Sequence, residues 1–106
     1  MAEDIRKKDW KLFRERIADW QESYMAKLNE EYIAILSKDG LASEKFWELD
    51  DRIKRDKRKP GVSLTLEKND MESDTARLIK DGAITWDDLE GFSDDFIDLV
   101  KRIMGV

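Results

Sequence analysis

Six carboxylates, Asp87, Asp88, Glu90, Asp94, Asp95 and Asp98, fall within twelve residues near the C-terminus. Such a cluster invites two kinds of chemistry, holding a divalent cation or dividing acid–base work between two carboxyls. A calcium loop needs ligands at alternate positions, with a glycine at the sixth and a glutamate at the twelfth. Here the aspartates come as adjacent pairs, whose side chains diverge. Each pair also follows a hydroxyl residue, Thr85 before Asp87-Asp88 and Ser93 before Asp94-Asp95. That is the pattern of a helix start, where a hydroxyl accepts from free amides and acids meet the positive end of the helix dipole. The cluster is read as two helix starts, with no metal site and no catalytic site.

The opposite charge gathers at Arg52, Lys54, Arg55, Lys57, Arg58 and Lys59, where only Ile53 and Asp56 interrupt the cations. Cations at this density can neutralise phosphates and release counterions, which gives affinity for nucleic acid without base readout. They also complement the negative end of a helix dipole, or can pair with the acidic segment at 87–98. The chain as a whole opposes the nucleic-acid reading, because 20 basic against 25 acidic residues leave a net charge of −5. Residues 1–60 carry +1 and residues 61–106 carry −6. A nucleic-acid domain is normally basic over one whole face.

Other chemistry is excluded by composition. There is no cysteine and no histidine, which removes thiol catalysis, thiolate metal sites, the commonest general base and the simplest pH switch. Glycines occur singly, at 40, 61, 82, 91 and 105, so no loop cradles phosphate and no cofactor is indicated. No small-molecule substrate motif and no pairing of nucleophile with base are present either, so the expectation is a protein that is not an enzyme.

The elements follow from periodicity. Trp10, Phe13, Ile17, Trp20, Tyr24, Leu28, Tyr32 and Ile35 recur at steps of three and four, which predicts one helix over 4–38 with a single apolar stripe. Asp39-Gly40 predicts its left-handed C-terminal cap. Ser43 is expected to cap a second helix whose inner face is Phe46, Leu49 and Ile53, broadened by Trp47, and which Pro60-Gly61 stops. Val62, Leu64 and Leu66 alternate with polar residues and predict an extended connector. A third helix is expected over 66–80 on Met71, Thr75, Leu78 and Ile79. A helical turn at 86–91, stapled by Trp86, precedes a last helix at 94–104 on Phe96, Val100, Ile103 and Leu99 or Met104. The fold class is all-α: a long helical hairpin over 1–60 and a smaller acidic helical subdomain over 61–106, within one domain.

A charged share of 42 % against 41 % hydrophobic compares with roughly a quarter charged in ordinary domains, so the core must be narrow. The longest apolar run is the five residues Tyr32 to Leu36. A signal peptide needs roughly 7–15 apolar residues and a membrane span about 20, so no membrane partner and a cytoplasmic location are expected. The stretch LIKDGAITWDDLEGFSDDFIDLV over 78–100, with KPGV at 59–62, resembles a group of small uncharacterised helical proteins of Gram-positive bacteria. That resemblance implies a bacterial cytosolic origin and brings no activity or site residues.

The helix-1 stripe is too long for the second helix to cover, and a bare stripe of that size is larger than soluble monomers tolerate. The expectation is a non-enzymatic protein that acts by protein–protein contact as a homodimer, or with another protein. Its self-association residues would be Trp10, Phe13, Ile17, Trp20 and Tyr24. The second reading is a nucleic-acid-associated regulator using Arg52, Lys54, Arg55, Lys57, Arg58 and Lys59.

Overall fold

The computed structural model describes residues 2–106, which form four α-helices. These are α1 (Ala2–Ser37), α2 (Ala42–Asp56), α3 (Met71–Lys80) and α4 (Asp94–Met104), with single 3₁₀ turns at Lys68–Asp70 and Trp86–Leu89. No strand occurs among the described residues, and the all-α hairpin with a smaller helical part is the observed architecture. The connector from 63 to 67 is irregular, with Leu64 packed on the core and Leu66 exposed. Among the described residues, no helix is long and apolar enough to cross a membrane.

α1 is the spine of the molecule. Its 36 residues rise about 54 Å, against a longest dimension of 60 Å. The N-terminal half of its stripe supplies Phe13, Ile17 and Trp20 to the main core, which Met71, Ala76 and Leu78 of α3, Ile84, Leu89, Phe92, and Phe96 and Val100 of α4 complete. Trp20 stacks on Phe92 and Phe92 on Phe96, with ring centroids 6.3 and 4.6 Å apart. The C-terminal half of α1 meets α2 instead, so one helix serves two packing partners in series.

This division corrects the expected self-association surface. Phe13, Ile17, Trp20 and Tyr24 are each under a tenth exposed within the single chain. Trp10 is half-buried, stacked on Phe13 at 6.0 Å and packed against the core. The acidic C-terminal helices cover the stripe that α2 could not reach.

Several local expectations are also corrected. α2 begins at Ala42 with Leu41 as its N-cap, and no side chain caps it, so Ser43 lies inside the helix. Gly40 has φ 140°, outside the left-handed helical region expected of a cap. α3 starts at Met71 after a 3₁₀ turn rather than at 66. Leu99 and Ile103 are exposed on α4, where Phe96 and Val100 carry the burial. Trp86 is exposed, with the Lys101 ammonium over its ring, and Leu89 enters the core in its place.

The helix starts behave as their residue types require. Ser93 Oγ accepts from the Phe96 amide at 3.1 Å. At Thr85 a capping box closes the turn, with the Thr85 side chain facing the Asp88 amide and Asp88 Oδ2 accepting from the Thr85 amide at 2.8 Å. Among the described residues, no group of three or more acidic side chains is arranged to hold a metal ion.

One tie crosses the whole chain. The buried Asp9 carboxylate accepts from the Ser93 amide at 2.9 Å and from Ser93 Oγ at 2.6 Å, which clamps α1 to the start of α4. Asp9→Ala would leave that amide without its acceptor, and such a loss costs about 1–3 kcal/mol. Urea titration is expected to show that drop for Asp9→Ala and a smaller one for Asp9→Asn, which keeps a carbonyl acceptor.

Candidate protein-interaction surface

The free half of the hairpin carries the unusual surface. α2 was expected to turn Phe46, Leu49 and Ile53 toward α1, with Trp47 beside them, and of these only Leu49 is turned in. The structure turns in Lys45, Leu49, Arg52 and Asp56, a neighbouring helical face that shares Leu49. Phe46 is 62 % exposed and Trp47 60 %, and their rings meet edge to face with centroids 5.0 Å apart. Leu41, Ile33, Leu36 and Ile53 are exposed nearby in the hairpin sequence.

Polar anchors explain the inversion. Asp56 is 2 % exposed, and its Oδ2 accepts from the Tyr32 hydroxyl at 2.5 Å. Lys59 approaches its other oxygen at 3.2 Å. Arg52 pairs with Glu31 at 2.8 Å and lies over the Tyr32 ring at 5.8 Å. Lys38 pairs with Glu48 across the top of the hairpin. A charge-assisted bond is worth more than a neutral one, and breaking a buried pair leaves an uncompensated charge. The anchors therefore set the rotation of α2, and its apolar face turns outward.

Burial would push the Asp56 carboxyl up, but the Tyr32 hydroxyl, Lys59 and Arg52 override it and hold it below its ordinary value. Burial first, and then the Asp56 carboxylate, push the Tyr32 hydroxyl up to about 12. The signs are opposite in consequence. The Asp56 contribution is present above the ordinary carboxylate value of about 3.9 and is lost as pH falls through the lower folded value. The Tyr32 contribution is complete below the ordinary tyrosine value of about 10 and disappears as pH rises toward about 12. Thermal melts are expected to show an alkaline loss of stability in that window, and Tyr32→Phe to flatten it. An equal alkaline loss in Tyr32→Phe would assign it elsewhere.

The basic run is not one patch. Arg52 and Lys59 are half-buried and engaged by Glu31 and Asp56, whereas Lys54, Arg55, Lys57 and Arg58 are exposed, with Lys54 paired to Asp50 and lining one hollow with Arg55 and Arg58. The carboxylates that pair with the run come from the hairpin and not from 87–98. Arg58 gives its carbonyl to Arg77 at 3.3 Å, which ties the end of the run to α3.

Comparison with known proteins gives no relative. No family model, curated protein or solved structure matches the chain. The hollow at Ile5, Arg6, Asp9, Ser93 and Phe96 is occupied by the chain's own bonds, since Arg6 pairs with Glu72 and donates to the Lys68 carbonyl at 3.0 Å. The surface that the sequence reading missed is therefore the outer face of α2. Its residues were all visible as apolar, but the assignment of that face to the interior hid them.

Proposed function

We propose that this chain is a cytoplasmic, non-enzymatic protein that acts by protein–protein contact, with the outer face of the α1–α2 hairpin as its docking surface. The observation that carries this reading is the exposed Phe46–Trp47 pair on a helix whose fully buried residue is Asp56. Isolated exposed apolar side chains are ordinary, but a clustered aromatic pair with aliphatic neighbours is the composition of an interface centre. The fold also isolates this face from the main core, so it is free to meet a partner without disturbing α3 and α4.

The test is site-specific photocrosslinking in cells, with a benzophenone side chain at position 47 and, as control, at the exposed Glu22. A discrete protein adduct of defined mass is expected from position 47, absent from position 22 and lost when Phe46→Glu is added. Equal labelling from both positions would overturn the docking surface.

A further inference from the structure

Between α3 and α4 lies a groove of about 510 Å³, within the range of about 300–1,000 Å³ common to small-ligand sites. Ser73, Ala76, Arg77 and Lys80 of α3 line it, and Ile103 and Met104 of α4 complete it. The α3 residues follow at steps of three, one and three, which places them on one stripe about 10 Å long. That stripe borders the face that α3 gives to the core through Met71, Thr75 and Leu78. The groove is hollow for a local reason. Ala76, 5 % exposed, ends at its Cβ, whereas the residues around it carry longer side chains that rise as walls.

Its charge is unlike that of the neighbouring surface. The hollows beside α1, α2 and the 86–89 turn include the carboxylates Asp9, Asp51 and Asp87. In a chain of 25 acidic and 20 basic residues, this groove is lined by two cations and no carboxylate. Asp74 and Asp81 stand near those cations in sequence, but neither lines the groove. Arg77 and Lys80 form no ion pair among the described residues. Arg77 donates to the Arg58 carbonyl at 3.3 Å. That neutral acceptor fixes one edge of the guanidinium and leaves its charge and its remaining donors unmatched.

We propose that this groove binds a medium-chain aliphatic carboxylate, with its head on Arg77 and Lys80 and its tail over Ala76, Ile103 and Met104. The apolar floor supplies an affinity that grows with tail length, because each methylene removed from water tightens binding by up to about fourfold. The cations select the sign of the head, and a guanidinium fork matches a carboxylate with two parallel bonds. Ile103 is 47 % exposed, so a tail lying along it covers apolar surface that the chain leaves in water. The size of the groove favours a single tail over a docked helix. A stable protein contact needs about 800 Å² per side, and two turns of α3 with two residues of α4 offer far less. No residue of the hairpin face takes part, so this site stands or falls independently of the docking surface proposed above.

The experiment titrates the isotope-labelled full chain with sodium octanoate and follows backbone amide shifts by NMR. Saturable shifts at Ala76, Lys80 and Ile103 are expected, with a Kd of about 1 mM or tighter. Decanoate, two methylenes longer, is expected to bind at least about fourfold more tightly. Octanol and octyltrimethylammonium are expected to bind at least about threefold more weakly than octanoate, and acetate to give no saturable shift. Two variants at exposed positions separate head from tail. Lys80→Glu is expected to weaken octanoate at least about fivefold and to leave octanol unchanged. Ile103→Ser is expected to weaken both alike. Circular dichroism of each variant matching wild type shows that the fold is intact. No saturable shift by about 5 mM octanoate, or shifts confined to residues outside the groove, overturns the site. Octyltrimethylammonium binding as tightly as octanoate, or Lys80→Glu without effect, overturns the anionic head. Acetate reproducing the octanoate shifts means an adventitious ion only, and overturns the aliphatic tail.

Discussion

Ile17→Glu is expected to unfold the α1–α3–α4 core of the single chain at every protein concentration. Ile17 is 5 % exposed and sits among Phe13, Trp20 and the residues that α3 and α4 contribute. Truncation of a buried isoleucine to alanine already costs about 2–5 kcal/mol. A carboxylate at the same place adds the penalty of an unpaired buried charge, and the two together approach the whole stability of an ordinary domain, about 5–15 kcal/mol. The paired control is Ile33→Glu, at a position 63 % exposed on the hairpin, where a surface change moves stability by about 0.5 kcal/mol or less. Far-ultraviolet circular dichroism is the measurement, with melts at two concentrations tenfold apart. Loss of helix in Ile17→Glu and retention in Ile33→Glu is the expected result. A fully helical, monomeric Ile17→Glu would restore the α1 stripe as an interface.

That contrast separates what local sequence pattern shows from what it hides. The α1 stripe was legible because steps of three and four place apolar residues on one side of a helix whatever covers them. What covers them was not legible, since the partners stand at 71–100 and only the folded topology brings them back. The two C-terminal helix starts were legible for a similar reason, because capping is a contact between near neighbours in sequence. Asp9 gave no such signal. Its partner Ser93 lies 84 residues away, and one more aspartate among the charged residues of an amphipathic helix reads as a solvated position.

α2 misleads in a more specific way. Phe46, Leu49 and Ile53 have helical spacing and invite an inward assignment. Lys45, Leu49, Arg52 and Asp56 recur at steps of four and three as well, on a neighbouring face that shares Leu49. The choice between the faces depends on Tyr32 and Glu31, which stand across the seam and hold Asp56 and Arg52. Amphipathicity therefore located the axis of α2 and two possible rotations, while specific bonds to α1 selected one. The selected rotation is what leaves the aromatic pair outside and makes the hairpin a surface for contact.

Gly61→Ala is expected to destabilise the chain through a single collision, at the joint between the hairpin and the rest of the fold. Pro60 and Gly61 are both buried there, with Gln21 donating to the Pro60 carbonyl at 2.9 Å. A Cβ on Gly61 would stand 2.4 Å from Cδ2 of Tyr24 and 3.0 Å from Cε2. Gly61 is not among the glycines with positive φ, so alanine meets no backbone strain and the effect is steric. Tyr24 is 4 % exposed, and its ring has little room to withdraw. Overpacking of this kind costs about 1–3 kcal/mol, and the shift needed here places Gly61→Ala at the upper end. Tyr24→Leu removes the ring atoms that the methyl would strike, and by itself loses packing. The double variant is expected to be more stable than the sum of the two losses by at least about 1 kcal/mol, a coupling that only neighbours in contact show. Urea titration of the four proteins measures it. Strictly additive losses would mean that Gly61 is needed for something other than the close approach of Tyr24.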